Sequence, residues 1–122
     1  MKTASAKAKG RRLQQFVRDR ILEVFNWIGF RPDDVKSTSM GAPDEDIQLS
    51  PFARDILPVS IECKSHKSMA VYKLYDQAMD NCNGYHPVLV IKADRREPLA
   101  VIDFEHWLQL ELTRVKEETY DE

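Results

Sequence analysis

Three charged residues stand on two segments that both have the pattern of β-strands. Glu62 and Lys64 are two residues apart in VSIECKSHK, so they share one face of that predicted strand. Asp46 begins the alternating segment DIQL, directly after the turn-forming stretch GAPDE. If the two strands are neighbours, the two carboxylates and the amine converge on one point.

This combination of charges suits chemistry on a phosphate. Two converging carboxylates repel each other unless a cation lies between them. Hard oxygen ligands with open positions suit Mg²⁺, which keeps several waters and also binds phosphate oxygens. A bound metal polarises a phosphodiester and lowers the pKa of an attacking water. Lys64 can orient that water or stabilise the charge that builds up at phosphorus.

The elements that position these residues follow from the periodicity of the sequence. Apolar residues recur at helical spacing from about Gly10 to Ile28, and helices are also predicted at about residues 68–82 and 105–115. Strands are predicted in DVKSTSM, DIQL, VSIECK, VLVIKA and LAVIDF, while SPFARD is either a loop or a short helical turn. The order α-β-β-β-α-β-β-α predicts an α/β protein with a sheet flanked by helices. On the second long helix, the predicted buried stripe is Met69, Tyr72, Tyr75 and Met79.

Composition sets limits on the class of protein. The 122 residues suit one domain, and 43% hydrophobic with 31% charged residues is typical of ordinary soluble proteins. The sequence contains no apolar run of about 18 residues and no secretory signal pattern, so neither a membrane span nor export is expected. Two cysteines do not make a disulfide framework, which favours a reduced, cytoplasmic protein. Cys63 is expected to face an apolar layer.

The net charge of −2 is unevenly distributed along the chain. The first twelve residues contain five basic residues and no acidic one, whereas the chain ends in EETYDE. We interpret residues 1–9 as a flexible basic arm, 10–116 as a single domain and 117–122 as an acidic tail. A basic arm can contact phosphates in spite of a slightly negative total charge. The alternative is a solvated, disordered tail.

Several segments resemble one nuclease superfamily. PDEDIQL followed by SIECK resembles the PD-(D/E)XK signature, with ECK as its E-x-K part. KGRRLQQFV is similar to the opening of archaeal-type Holliday junction resolvases, in which a K-G motif precedes a metal-site glutamate; Gln14 stands at that position here. LSPFAR, which precedes the ECK strand, and QA in the helix after that strand resemble small phage-encoded resolvase-like endonucleases. The resemblance covers about residues 9–110.

The resemblance implies a restriction-endonuclease-like αβββαβ core with a mixed central sheet. It also implies an Mg²⁺-dependent endonuclease, with Mn²⁺ able to substitute, that hydrolyses phosphodiester bonds in branched DNA. Asp46, Glu62 and the backbone carbonyl of Cys63 would bind the metal, while Lys64 and Gln14 would complete the catalytic site. A homodimer would supply the two symmetric incisions that a four-way junction needs. A phage-encoded protein of this kind would act in the cytoplasm of a bacterial host cell.

Other polar residues are candidates for contact with the DNA backbone. Those in or next to the basic arm are Lys7, Lys9, Arg11 and Arg12, and those after the ECK strand are His66, Lys67, Lys73 and Gln77. Lys92 ends an apolar strand and either contacts phosphate or lies along the protein surface.

Alternatives remain for the ligands and for the function. Asp44 completes a literal Pro-Asp, but Asp46 is favoured because a strand fixes a ligand better than a turn. An E-x-K pair can also be a solvent-facing pair on an edge strand. Nicking or end-processing nucleases share the same signature, and a non-catalytic DNA-binding module is a further possibility. A zinc-stabilised module is suggested by two spacings, Cys63-x-x-His66 and Cys82-x-x-x-His86.

Overall fold

The computed structural model describes residues 4–38 and 45–120. Its helices are α1 (Ala4–Val24), α2 (Pro51–Ile56), α3 (Val71–Asp80) and α4 (Phe104–Tyr120). Its strands are β1 (Val35–Ser37), β2 (Ile47–Leu49), β3 (Val59–Ser65), β4 (His86–Lys92) and β5 (Leu99–Val101). The predicted element order is confirmed, and SPFARD forms a helix. Residues 39–44, which hold most of the predicted turn and Asp44, lie outside the described residues, as does Lys2.

The five strands form one mixed sheet in the order β1-β2-β3-β4-β5. Neighbouring strands are antiparallel except β3 and β4, which are parallel because α3 carries the chain back between them. The sheet flanked by helices confirms the predicted α/β class. Strand β3, which carries the ECK motif, is the central strand of the five.

Strand β3 separates two layers of different chemistry. Ile61 and Cys63 lie in the apolar core with Leu13 and Val17 of α1. Glu62 points to the opposite face, where α3 packs and where its register partner in β4 is the fully buried Leu89. Each face of the strand therefore has its own helix, and the alternation of the sequence determines which residues meet which helix.

Helix α1 begins at Ala4, six residues before the predicted start at Gly10. Residues 4–9 are therefore helical, and the prediction of a flexible arm is wrong for this part. The prediction relied on apolar periodicity, which starts only at Leu13, whereas alanine and lysine favour a helix without any apolar stripe. Likewise, α4 continues to Tyr120 and includes residues 117–120 of the predicted acidic tail.

Helix α3 buries a different face from the predicted one. Tyr72 and Met79 are exposed, at 88% and 52%, whereas Ala78 is completely buried. The stripe prediction is therefore wrong for Tyr72 and Met79, because it assumed that the largest apolar residues face the sheet, whereas Met69 and Tyr75 are half-buried. The face of β3 under α3 carries Ser60 and Glu62, and a small residue allows the close approach that these polar contacts need.

Helix α4 presents an apolar surface to solvent. Its exposed apolar side chains are Phe104, Trp107, Leu108, Leu110, Leu112 and Val115. The ring of His106 faces the other way and stacks on His86 of β4 with ring centroids 4.0 Å apart. In the described parts of the chain, none of the helices is both long and apolar enough to cross a membrane.

Candidate active site

Backbone hydrogen bonds on both sides fix the position of Asp46, the residue before β2. Its N–H donates to the carbonyl of Ile61 at 3.1 Å, and its carbonyl accepts from the N–H of Thr38 at 2.8 Å. Its side chain turns toward β3, where Oδ2 accepts a hydrogen bond from the N–H of Cys63 at 2.7 Å. The Asp46 carboxylate therefore lies beside the ECK segment, as the pattern of charges predicted.

Glu62 is a buried carboxyl group whose side chain is only 3% exposed. Its Oε1 accepts a hydrogen bond from Nδ2 of Asn81 at 3.2 Å. Burial raises the pKa of Glu62 to about 7, and the neighbouring charge of Asp46 contributes to this rise, against the opposing effects of Asn81 and Lys64. At neutral pH this carboxyl group thus lies close to the midpoint of its titration.

Asn81 was not among the predicted site residues. It follows the end of α3, where its carbonyl also accepts a hydrogen bond from the hydroxyl of Ser60 at 3.4 Å. No spacing in the sequence connects it with Glu62, because the contact arises from the packing of α3 on β3. An asparagine at a helix C-terminus is common for local reasons, so its type gave no signal.

Lys64 is half-buried on the same face of β3 as Glu62, close enough for its charge to favour the ionised form of that residue. It lies in a depression of about 350 Å³ at the end of the strand. The other polar side chains of this depression are His66, Ser68, Lys73 and Gln77. Three predicted DNA contacts, His66, Lys73 and Gln77, thus surround the predicted catalytic lysine.

The E-x-K pair is not a solvent-facing pair on an edge. Strand β3 has neighbours on both sides, and Glu62 is among the buried charged residues. A carboxyl group in such a place costs stability unless it is protonated or paired. That cost is expected at a functional site, where strongly shifted pKa values cluster.

The oxygen atoms of Asp46 and Glu62 fit a hard divalent cation. Burial is the main cause of the raised pKa of Glu62, and the charge of Asp46 adds to it; that mutual repulsion between the two carboxylates also favours a bound cation. Among the described residues, no group of three His, Cys, Asp or Glu side chains is arranged to hold a metal ion. Two carboxylates leave positions for water and phosphate oxygens, which is the usual coordination of Mg²⁺ in phosphate chemistry.

The Cys63 side chain does not take part in this site. The thiol lies in the apolar core, and burial raises its pKa. Its N–H holds Asp46, while the metal-binding role of its carbonyl stays a prediction. In the part of the chain that the structure describes, the Cys and His residues of the alternative zinc module are not grouped to hold a metal ion, and the ring of His86 stacks on His106.

Glu45, the residue before Asp46, pairs with helix α2. Its carboxylate pairs with the guanidinium of Arg54 on α2, and both side chains are largely buried. Arg54 also donates to the carbonyl of Val59 at 2.6 Å and lies over the ring of Tyr85, 4.4 Å from its centroid. This ion pair anchors the segment before Asp46 to α2 and to the start of β3.

Gln14 is buried on the inner side of α1, at 4% exposure. It lies one helical turn before Arg18, whose Nε donates to the carbonyl of Val35 in β1 at 3.0 Å. Gln14 therefore lies on the flank of α1 that faces β1. A role of Gln14 in the catalytic site stays a prediction.

The predicted basic contacts of the first segment lie on helix α1. Lys9 and Arg12 line one groove, whereas Lys7 and Arg11 are exposed. Lys67 is exposed just after β3. The structure thus spreads these four α1 residues over the helix surface instead of placing all of them on a separate arm.

The chain matches no protein-family model, and comparisons with curated proteins and with solved structures found no match. A function for this chain therefore has to come from its residues and their geometry.

Proposed function

We propose that this chain is a metal-dependent endodeoxyribonuclease with a restriction-endonuclease-like core that cuts branched DNA as a Holliday junction resolvase. The observation that carries the proposal is the hydrogen bond from the Cys63 N–H to Asp46. It holds one carboxylate beside a second, Glu62, with Lys64 two residues further on the same face. Two acids and one lysine in this order are also the residues of the PD-(D/E)XK signature.

Mg²⁺, or Mn²⁺ in its place, would be held by Asp46 and Glu62, with the Cys63 carbonyl as a further ligand. When bound, the ion polarises the phosphodiester and lowers the pKa of an attacking water. Glu62 binds a cation in its ionised form, which the pKa of about 7 makes accessible near neutral pH. Lys64 orients the water and stabilises negative charge at phosphorus. Gln14 holds a water or a phosphate oxygen by a hydrogen bond.

The depression around Lys64 gives DNA a place to bind. His66, Lys73 and Gln77 present hydrogen-bond donors there, and they suit phosphate oxygens better than base edges. Recognition then depends on the shape and the backbone of the DNA. Affinity should fall steeply with salt concentration because each phosphate contact releases counterions.

We also propose a homodimer in which a second copy covers α4. The helix exposes six large apolar side chains, an unusual number for one surface helix of a small domain. Arg114 pairs with Glu111 and Glu118 of the same helix, so these charges are already balanced within one copy. A twofold dimer places two active sites for two symmetric incisions.

The dimer proposal predicts that Leu108→Glu and Leu112→Glu, which lie one helical turn apart on the same face of α4, shift the protein to monomers. Sedimentation velocity should show the change, because a charge placed in an apolar interface must be desolvated. The matched control is Lys116→Glu, an exposed charged position on the same helix. A wild-type protein that sediments as a monomer at high concentration would contradict the dimer.

The nuclease proposal is tested by incubating labelled four-way junction, duplex and single-stranded DNA with the protein, with and without Mg²⁺. We expect symmetric nicks in the junction that need Mg²⁺ and that Glu62→Gln abolishes. Glu23→Gln changes an exposed acid of α1 in the same way and should cut like wild type.

Two other outcomes separate the rival functions. If duplex or single-stranded DNA is cut as fast as the junction, the protein is a nicking or end-processing nuclease and not a resolvase. DNA binding without any cleavage in Mg²⁺ or Mn²⁺ would contradict the nuclease proposal and favour a non-catalytic DNA-binding module.

A further inference from the structure

A second groove lies on the other side of the sheet from the Lys64 depression. It has a volume of about 750 Å³ and runs between residues 9–16 of α1 and the turn that joins β4 to β5. Its charged walls include Lys9, Arg12, Lys92, Asp94, Arg95 and Arg96. Lys9 and Arg12 were predicted to contact DNA, and Lys92 was a candidate phosphate contact, whereas Arg95 and Arg96 were not among the predicted site residues.

The groove and the active-site depression meet at the ends of β3 and β4. Lys64 lines the depression, and the next residue, Ser65, lines the groove, because successive strand residues point to opposite faces. The two strands stay joined at this point, since the N–H of His66 donates to the carbonyl of Lys92 at 3.2 Å. In open α/β sheets, ligands bind beyond the carboxyl ends of parallel strands. β3 and β4 are the parallel pair here.

The groove concentrates positive charge in a chain of net charge −2. Five basic side chains line it against two acidic ones, Asp94 and Glu97. Leu13 and Phe16 supply an apolar wall, and the Phe16 ring is 48% exposed. Basic side chains beside an accessible aromatic ring are the combination that binds the phosphates and the bases of nucleic acids.

An ion pair crosses the groove and can give way to a phosphate. Nζ of Lys9 donates to both carboxylate oxygens of Asp94, at 2.9 and 3.1 Å, and so links α1 to the β4–β5 turn. Both side chains are more than one third exposed. Exposed pairs of this kind contribute little to stability, so a phosphate can take the place of Asp94 at the lysine.

The turn itself holds its arginine in an uncommon conformation. Arg95 has a φ of 62°, in the left-handed region that residues other than glycine seldom adopt. Such conformations cost free energy and are found most often at functional sites. Arg95 in this conformation and the next residue, Arg96, both line the groove.

We propose that this groove binds a second backbone segment of the same DNA, beside the segment that is cut at Lys64. The inference rests on the proposed function for the identity of the nucleic acid. A branched molecule has backbone segments that diverge from one point, and the two sites diverge from the ends of β3 and β4. The groove would thereby make the protein prefer a junction over a single short duplex.

The test measures binding by fluorescence anisotropy in EDTA, so that cleavage plays no part. The probes are a labelled four-way junction and a labelled duplex of about ten base pairs, each titrated at several salt concentrations. For Arg95→Ala/Arg96→Ala, we expect junction affinity to fall about tenfold. The slope of log affinity against log salt concentration should become less steep by about one for each phosphate that the variant no longer binds. Affinity for the short duplex should change less than twofold.

Two further variants keep the result interpretable. Arg12→Ala/Arg96→Ala avoids the strained position and should give the same reduction in affinity, while circular dichroism checks that each variant is folded. Arg20→Ala/Lys116→Ala removes as much positive charge from surfaces outside the groove and should bind like wild type.

The groove proposal and the nuclease proposal can be contradicted independently of each other. Junction binding and salt dependence equal to those of wild type in both groove variants would overturn the groove, even if the protein cuts DNA. Weaker junction binding by the groove variants would support it, even if no DNA is cut. An equally weakened control variant would also overturn it, because net charge alone would then explain the effect.

Discussion

The two faces of strand β3 are opposites in chemistry and in stability. Toward α1, Ile61 and Cys63 join an apolar core, which stabilises the fold. Toward α3, Ser60 and Glu62 are buried polar groups, and Lys64 follows at the rim. One face packs against α1 and stabilises the fold, and the other buries the Glu62 carboxyl group, which raises its pKa. A single alternating strand can therefore separate stability from chemistry, residue by residue.

The chemical face should give the strongest response to mutation. Lys64→Ala should lower the rate of junction cleavage by about 100-fold to 1,000-fold, the usual effect when one charge-stabilising donor is removed. Its unfolding midpoint in urea should stay near that of wild type, because the side chain is half-buried and lines an open depression. Single-turnover cleavage at saturating protein measures the rate. Lys36→Ala, an exposed lysine on β1, is the control.

On the core face, Ile61→Ala should act in the opposite sense. The side chain is 6% exposed, so its truncation leaves a cavity and should reduce the free energy of unfolding by about 2–5 kcal/mol. Cleavage per folded molecule should change little. Urea unfolding together with the cleavage rate at low temperature separates the two quantities. If Ile61→Ala is as stable as wild type but no longer cuts DNA, the proposed division between a stabilising face and a catalytic face of β3 is contradicted.

A smaller effect concerns the pH dependence of stability in EDTA. The pKa of Glu62 is raised from 4.5 to about 7, so the folded state holds this proton more tightly than the unfolded chain. The contribution of the proton to stability is therefore complete below about pH 4.5 and is lost as the pH rises through 7. For a buried group, a shift of this size corresponds to about 3 kcal/mol in total, most of which is lost between pH 5 and pH 8.

Glu62→Gln is the variant that tests this pH effect. Its neutral amide should remove this part of the pH dependence, so that it is more stable than wild type at pH 8 and close to it at pH 5. Urea unfolding at the two pH values measures the difference. If the free energy of unfolding depends on pH in the same way in both proteins, ionisation of Glu62 does not destabilise the folded state, which would contradict its raised pKa.

Part of this arrangement was predictable from the sequence because it follows from local rules. Alternation along β3 separated Glu62 from Cys63, and a turn before a short strand brought Asp46 to the same place. The remainder depends on packing that one sequence does not specify. Asn81 reaches Glu62 only because α3 lies close to the sheet, and that closeness comes from Ala78 rather than from the larger Tyr72 or Met79. Lys92 and Arg95 share a groove with Arg12 through a sheet-to-helix contact that no spacing encodes.

The sharpest test of the two-carboxylate site is cleavage of a four-way junction in Mg²⁺ by Asp46→Asn and by Asp55→Asn. The two variants make the same chemical change, once beside Glu62 and once on the exposed surface of α2. We predict that Asp46→Asn no longer makes the paired nicks while Asp55→Asn makes them at the wild-type rate. Wild-type nicking by Asp46→Asn would refute the proposed site, because Asp46 and Glu62 would then not hold the metal that the reaction needs.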